Sequence, residues 1–201
     1  MTDRRTFLSA GIATLGAGLA GCAGSWAERD WISLLDGSRM ANLDGWTQIG
    51  ERNWSLVEGT VQGTNDSKGG FLVSKDSYTD FEIRAVFWAD ENANSGIFLR
   101  CQDRNKVGAD NAYDVNIFDT RPDPSYGTGA IVNVARVAQP APKVANRWNT
   151  YEISARGGRM VVVLNGKQTV DAHNDKFRSG PIALQSAGGT IRFRKVEIRI
   201  M

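Results

Sequence analysis

Alternation of apolar and polar residues is the dominant signal along this chain. From Asp80 to Phe87, the apolar residues Phe81, Ile83, Ala85 and Phe87 share one parity. A period of two marks a strand with one buried side. Shorter runs of the same kind recur at Trp54–Val57, Phe71–Val73, Gly96–Leu99, Tyr113–Phe118 and Trp148–Ser154. Others follow at Met160–Leu164, Pro181–Gln185 and Ile191–Arg194. Glu58-Gly59 and Asn165-Gly166 are turn dipeptides, and the second predicts a two-residue hairpin because both positions tolerate positive φ. Gly157-Gly158 is expected to fold Tyr151–Arg156 back onto Met160–Leu164 in the same way.

Near the end of the chain the parity slips. Ile191 and Phe193 take one phase, Val196, Ile198 and Ile200 the other, with Arg194-Lys195 between them. A β-bulge would do this, as would a strand leaving one sheet contact for another. No useful helix is predicted after the first two dozen residues. Ten or more strands joined by Gly-rich turns predict an all-β fold of two packed antiparallel sheets. The longest stretch without pattern, 119–146, is the expected loop for binding or catalytic groups.

The first residues are of another kind. Arg4-Arg5-Thr6-Phe7-Leu8 is followed by an apolar stretch that ends at Gly21-Cys22. It is too short for a spanning helix, which needs about 20 apolar residues. The segment resembles a twin-arginine export signal, and Leu19-Ala20-Gly21-Cys22 resembles the lipobox of bacterial lipoproteins. Residues 1–21 are therefore expected to be removed, Cys22 to be lipidated, 22–30 to be a short tether and 31–201 to form one domain. Such a protein would be exported and held on the bacterial envelope by its lipids, facing the periplasm or the outer surface.

Composition narrows the chemistry. Removing Arg4, Arg5 and Asp3 with the leader lowers the formal net charge from +2 to about +1. Without a basic stripe, nothing argues for nucleic-acid binding. With Cys22 assigned to the anchor, Cys101 is left alone and reads as a small buried hydrophobe. His173 is the single histidine, which excludes a multi-histidine zinc site. It reads as a loop residue. Trp46, Trp54 and Trp148 are expected at the core or its edge. Trp88, out of phase with Phe81–Phe87, is the candidate for an exposed sugar-stacking platform.

A resemblance runs through these segments. Leu34-Leu35-Asp36-Gly37, Asp44-Gly45-Trp46, Gly69-Gly70, Asp80–Arg84, Asn94–Arg100 and Tyr113–Asp119 are similar in order to the 3-keto-disaccharide hydrolase domain family. Thr128–Ile131, Trp148–Glu152, Leu164-Asn165-Gly166, Gly180–Gln185 and Ile191–Arg194 continue the likeness, so that it spans about 31–200. It implies a jelly-roll sandwich similar to the concanavalin A-like lectins and glucanases. It also implies cleavage of glycosides oxidised at C3. There the ketone acidifies the C2 hydrogen, a base removes it, the glycosidic oxygen leaves C1, and water adds back.

Three positions depart from the family pattern. Asp114 and Asn116 stand where relatives carry the longer Glu and Gln, and Ala187 stands where relatives commonly have a histidine. On this resemblance the catalytic candidates are Asp114 as the base, Arg100 as the enolate stabiliser, and Asn116 and Gln185. Asp114 and Asn116 lie two apart on one strand face and could form the floor of a groove. Glu82 and Asp114 are one possible carboxylate pair. Trp88, Asp119 and Arg136 are the candidates for substrate binding, with Lys143 nearby in the chain. The cofactor is either none or a divalent cation such as calcium, to which Asp114 and Asp119 could supply oxygens. The alternatives to a glycoside-cleaving enzyme are a non-catalytic carbohydrate-binding lipoprotein and a structural envelope protein. The oligomeric state stays open.

Overall fold

The computed structural model describes residues 30–51, 53–65 and 69–201. The leader 1–21, Cys22 and the tether up to residue 29 lie outside the described residues. Twelve strands follow in chain order. They are β1 (Ile32–Asp36), β2 (Trp46–Gly50), β3 (Trp54–Val57), β4 (Thr60–Asn65), β5 (Gly70–Ser74) and β6 (Phe81–Ala89). Then come β7 (Asn94–Leu99), β8 (Tyr113–Ile117), β9 (Trp148–Arg156), β10 (Arg159–Leu164), β11 (Lys167–His173) and β12 (Ala183–Ile200). A 3-10 turn, Pro124–Tyr126, lies in the long loop after β8.

All strand pairs are antiparallel and fall into two sheets. The larger runs β11-β10-β9-β6-β12, with β4 and β1 paired in succession along the far edge of β12 and β3 outside β4. The smaller runs β2-β5-β12-β7-β8. The result is an all-β antiparallel sandwich of the concanavalin A-like lectin/glucanase type. β1, β2 and β4 are strands that periodicity did not expose. Each is short, and β1 and β2 have few buried positions to read.

β12 belongs to both sheets. Residues 183–188 pair with β5 and β7, and residues 189–200 pair with β4, β6 and β1. Pro181–Gln185 and Ile191–Arg194 are thus parts of one long strand. It turns the corner at Gly188-Gly189. Gly189 has φ +58, and a Cβ there would sit 2.3 Å from Asp90 Oδ1. The Asp90 carboxylate instead accepts from Thr190 N at 2.7 Å, which holds the corner. Further along, the pairing with β6 skips from Phe193 to Lys195. That is the bulge anticipated at Arg194-Lys195.

The core lies between the sheets. Phe81, Ile83, Ala85 and Phe87 of β6 are buried there with Tyr151 and Ile153 of β9, Phe193 and Val196 of β12, and Ile97 and Val115 from the smaller sheet. The Phe87 and Tyr151 rings stack at 5.0 Å. Each such apolar side chain contributes about 1.5–3 kcal/mol through burial. Trp46 and Trp54 are buried in this core as expected. Asn165 (φ 50) and Gly166 (φ 78) close the β10–β11 hairpin as anticipated. His173, read as a loop residue, ends β11 opposite Arg159, and its ring bonds Asp175 at 2.7 Å.

Candidate functional site

The outer face of the smaller sheet follows from the register. Ile49, Phe71, Gln185, Gly96 and Asn116 form one row across the five strands. Thr47, Val73, Ala183, Phe98 and Asp114 form the next. Asp114, Asn116 and Gln185 therefore do share a face, as parity required. Gly96 stands between Asn116 and Gln185 and carries no side chain, and the Asp114 carboxylate fills the space that a side chain there would take. A Cβ at Gly96 would meet Asp114 Oδ1 at 2.4 Å. A glycine inside a strand marks such a close approach, and this signal was present in the sequence.

Asp114 is the unusual group. It is 7% exposed, and its Oδ1 is buried without a hydrogen-bond partner. Burial pushes its carboxyl pKa up to about 7, with Arg121 acting in the opposite direction. Withdrawal from water disfavours the charged form, and one cation offsets only part of the cost. Arg121 sits in the loop after β8. It is the cation that Asp114 senses, and sequence pattern gave no sign of it.

Asn116 has a structural task. Its Nδ2 donates to Tyr126 O at 2.7 Å, and its backbone exchanges bonds with Gly129 and Ala130. Val132 N donates to Asp114 O at 2.9 Å. Residues 129–132 thus cover the outer edge of β8. Asp119 caps the same loop. Its Oδ1 accepts from Thr128 Oγ1 at 2.6 Å, and its Oδ2 accepts from the backbone N–H groups of Val144 (2.8 Å) and Ala145 (3.0 Å). With both oxygens so occupied, Asp119 does not join Asp114 as a paired cation ligand. Among the described residues no three His, Cys, Asp or Glu side chains converge as a metal-binding group.

Several expectations need correction. Arg100 does not reach this face. It directly follows β7 with φ +54, and its guanidinium is fully buried. It donates to Thr79 O (2.9 Å), Gly157 O (2.7 Å), Phe177 O (3.1 Å) and Asp80 Oδ1 (3.2 Å). The left-handed backbone turns the side chain out of strand parity and makes it a clamp between segments. Trp88 lies on the outer face of the larger sheet, on the other side of the sandwich, half-buried beneath Arg192. Glu82 is on that same far face, paired with Arg156 and Arg199, so it forms no carboxylate pair with Asp114. Arg136 is exposed, bonds Ser125 Oγ at 3.1 Å and covers the Tyr126 ring. Lys143 donates to Asp119 O. Cys101 is buried as expected, and burial raises its thiol pKa to about 12. Ala187 lies beyond Gln185 along β12, with its Cβ 3.7 Å from where a Gly69 Cβ would stand. It offers nothing that can carry a proton.

A family model matches residues 30–199, described as a 3-keto-alpha-glucoside-1,2-lyase-like domain. The chain belongs to that family. A search of curated proteins found no match. Among solved structures, a proposed glycosyl hydrolase from Parabacteroides distasonis superposes with TM-score 0.74 at 15% identity, over 87% of this chain and 95% of that one. A second from the same organism gives 0.70 at 24% identity, over 85% and 99%. The carbohydrate-binding module CBM66 of Bacillus subtilis gives 0.60 at 22% identity, over 80% and 98%. Identities this low establish the shared fold alone. Family and fold together support a carbohydrate-binding or carbohydrate-processing role.

Proposed function

We propose that this 3-keto-glucoside lyase-like chain cleaves 3-keto-glycosides, with Asp114 as the base at C2. The observation that carries the reading is the buried, unpartnered Asp114 Oδ1, packed over the side-chain-free Gly96. A carboxyl with a pKa of about 7 is half ionised at neutral pH, and its conjugate acid can return the proton.

In this reading the Asp114 carboxylate takes the C2 proton, and the C–H electron pair moves towards the C3 ketone as an enolate. The enolate then expels the glycosidic oxygen from C1, which leaves protonated by solvent, and a C1=C2 double bond remains. Water adds its oxygen to C1 while Asp114 returns a proton to C2. The products are a free 3-keto sugar and the released alcohol. Arg121, rather than Arg100, is the cation close enough in effect to steady the developing oxyanion. Gln185, in register with Gly96 on the same face, would serve as a hydrogen-bonding group for sugar hydroxyls.

The test is to follow sugar release from a panel of 3-keto-disaccharides, with and without EDTA, for the parent chain and Asp114→Asn. Turnover lost in Asp114→Asn supports the base assignment, and the EDTA arm reads any cation requirement. Turnover that survives Asp114→Asn overturns the assignment. Binding of these sugars without turnover would favour a carbohydrate-binding role, a reading to which the proton-inert Ala187 lends weight.

A further inference from the structure

The side of the sandwich away from Asp114 carries a second organised surface. On the outer face of the larger sheet, Trp31, Trp88 and Trp148 each have a guanidinium over the ring. Arg84 and Arg199 flank Trp31 at 4.3 and 5.1 Å, Arg192 lies over Trp88 at 5.1 Å, and Arg194 lies over Trp148 at 3.9 Å. β6, β9 and β12 supply this face with Arg84, Arg156, Arg192, Arg194, Lys195 and Arg199, against Glu82, Glu152 and Glu197. Glu82 is paired with Arg156 and Arg199, Glu197 with Lys195, and Glu152 is the cross-strand neighbour of Arg84. The surplus charge is positive, and Arg192 and Arg194 stand over two of the rings.

We propose that this face docks on an anionic phospholipid surface, which turns the Asp114 face outward. Two observations select a lipid surface as the occupant. The first is chemical: indole rings settle at the headgroup level, and clustered Arg side chains are drawn to anionic headgroups. Trp148, 39% exposed, is one of the few large apolar side chains left in solvent. The second is the place of this face relative to Cys22. Trp31 lies on this face, and Cys22, expected to carry the lipid anchor, precedes it by nine residues. Extended backbone spans at most about 3.6 Å per residue, so the tether reaches roughly 30 Å. A lipid anchor gains stability from a second, electrostatic contact, and Trp31 puts this basic, aromatic face at the end of the described chain nearest Cys22.

The experiment uses the full chain with Cys22→Ala, which removes acylation from every comparison. An environment-sensitive label is placed at Thr150→Cys, on the proposed face, or at Thr47→Cys, in the Asp114 row. Both positions are exposed, whereas Cys101 is buried. Vesicles contain brominated phosphatidylglycerol, or phosphatidylcholine alone. The expected result is quenching at 150 but not at 47, on anionic vesicles only. Arg84→Gln with Arg192→Gln and Arg194→Gln should weaken that signal roughly 100-fold in lipid concentration, and the triple Arg→Lys variant should restore it. Equal quenching at the two sites, no quenching at 150, or indifference to lipid charge would overturn the proposal. Turnover of soluble 3-keto sugars does not enter this readout, so the two readings fail separately.

Discussion

Gly96 and Asp114 are neighbours on adjacent strands, and the missing side chain of one makes room for the carboxylate of the other. A Cβ at position 96 would stand 2.4 Å from Asp114 Oδ1 and 3.2 Å from Val115 O. Gly96→Ala must therefore displace the carboxylate or bend β7. The expected cost is about 1–3 kcal/mol of stability, as for other overpacked sites, together with loss of turnover. A thermal melt and a rate measurement on the same sample check both effects.

The raised pKa of Asp114 sets a direction for stability against pH. The folded carboxyl titrates near 7 and the unfolded one near 3.8, so the folded state holds the extra proton between those values. Stability should fall as pH rises from about 4 to 7 and level off above that, with a full effect of up to about 4 kcal/mol. Asp114→Asn removes the dependence. It should be more stable than the parent at pH 8 and inactive, which urea titrations at pH 5 and pH 8 would reveal.

Arg121 should set the pH profile of activity. It lowers the pKa of Asp114, so Arg121→Gln should move the rising limb of the rate profile to higher pH. An unchanged limb would mean that the loop charge does not reach the carboxylate.

Arg100 is expected to matter for folding rather than for chemistry. Arg100→Gln leaves the Thr79, Gly157 and Phe177 carbonyls without their donors. Leaving buried acceptors without a donor costs about 1–3 kcal/mol each. Denaturant unfolding should show that loss, while any variant protein that stays folded should keep its KM. A stable Arg100→Lys protein without turnover would contradict the structural role.

Cys101 should behave as packing. With burial raising its thiol pKa to about 12, it should resist alkylation in the native Cys22→Ala protein and react only once the chain is unfolded.

Much of the fold could be read from local pattern, because strand parity and turn chemistry are local. β6 showed its buried face directly, Asn165-Gly166 its hairpin, and Arg194-Lys195 its bulge. The same parity placed Asp114 and Asn116 on one face, and the family resemblance selected that face for chemistry. Parity failed where the backbone leaves the strand region. At Arg100 a positive φ redirects the longest candidate side chain into a clamp. It also could not say which sheet a strand joins, so Trp88 and Glu82, both alternating correctly, proved to lie on the far side of the sandwich.

By itself, then, the sequence determined the all-β sandwich, the family, the burial of Cys101 and the polar face of β8, since each depends on residue type and short-range period. Only the tertiary structure decided that Gly96 makes room for Asp114, that Asp119 and Asn116 hold the loop, and that the charge of Arg121 reaches Asp114. Those relations join residues on separate strands and loops. Burial, and with it the carboxyl pKa, exists only once those segments have come together.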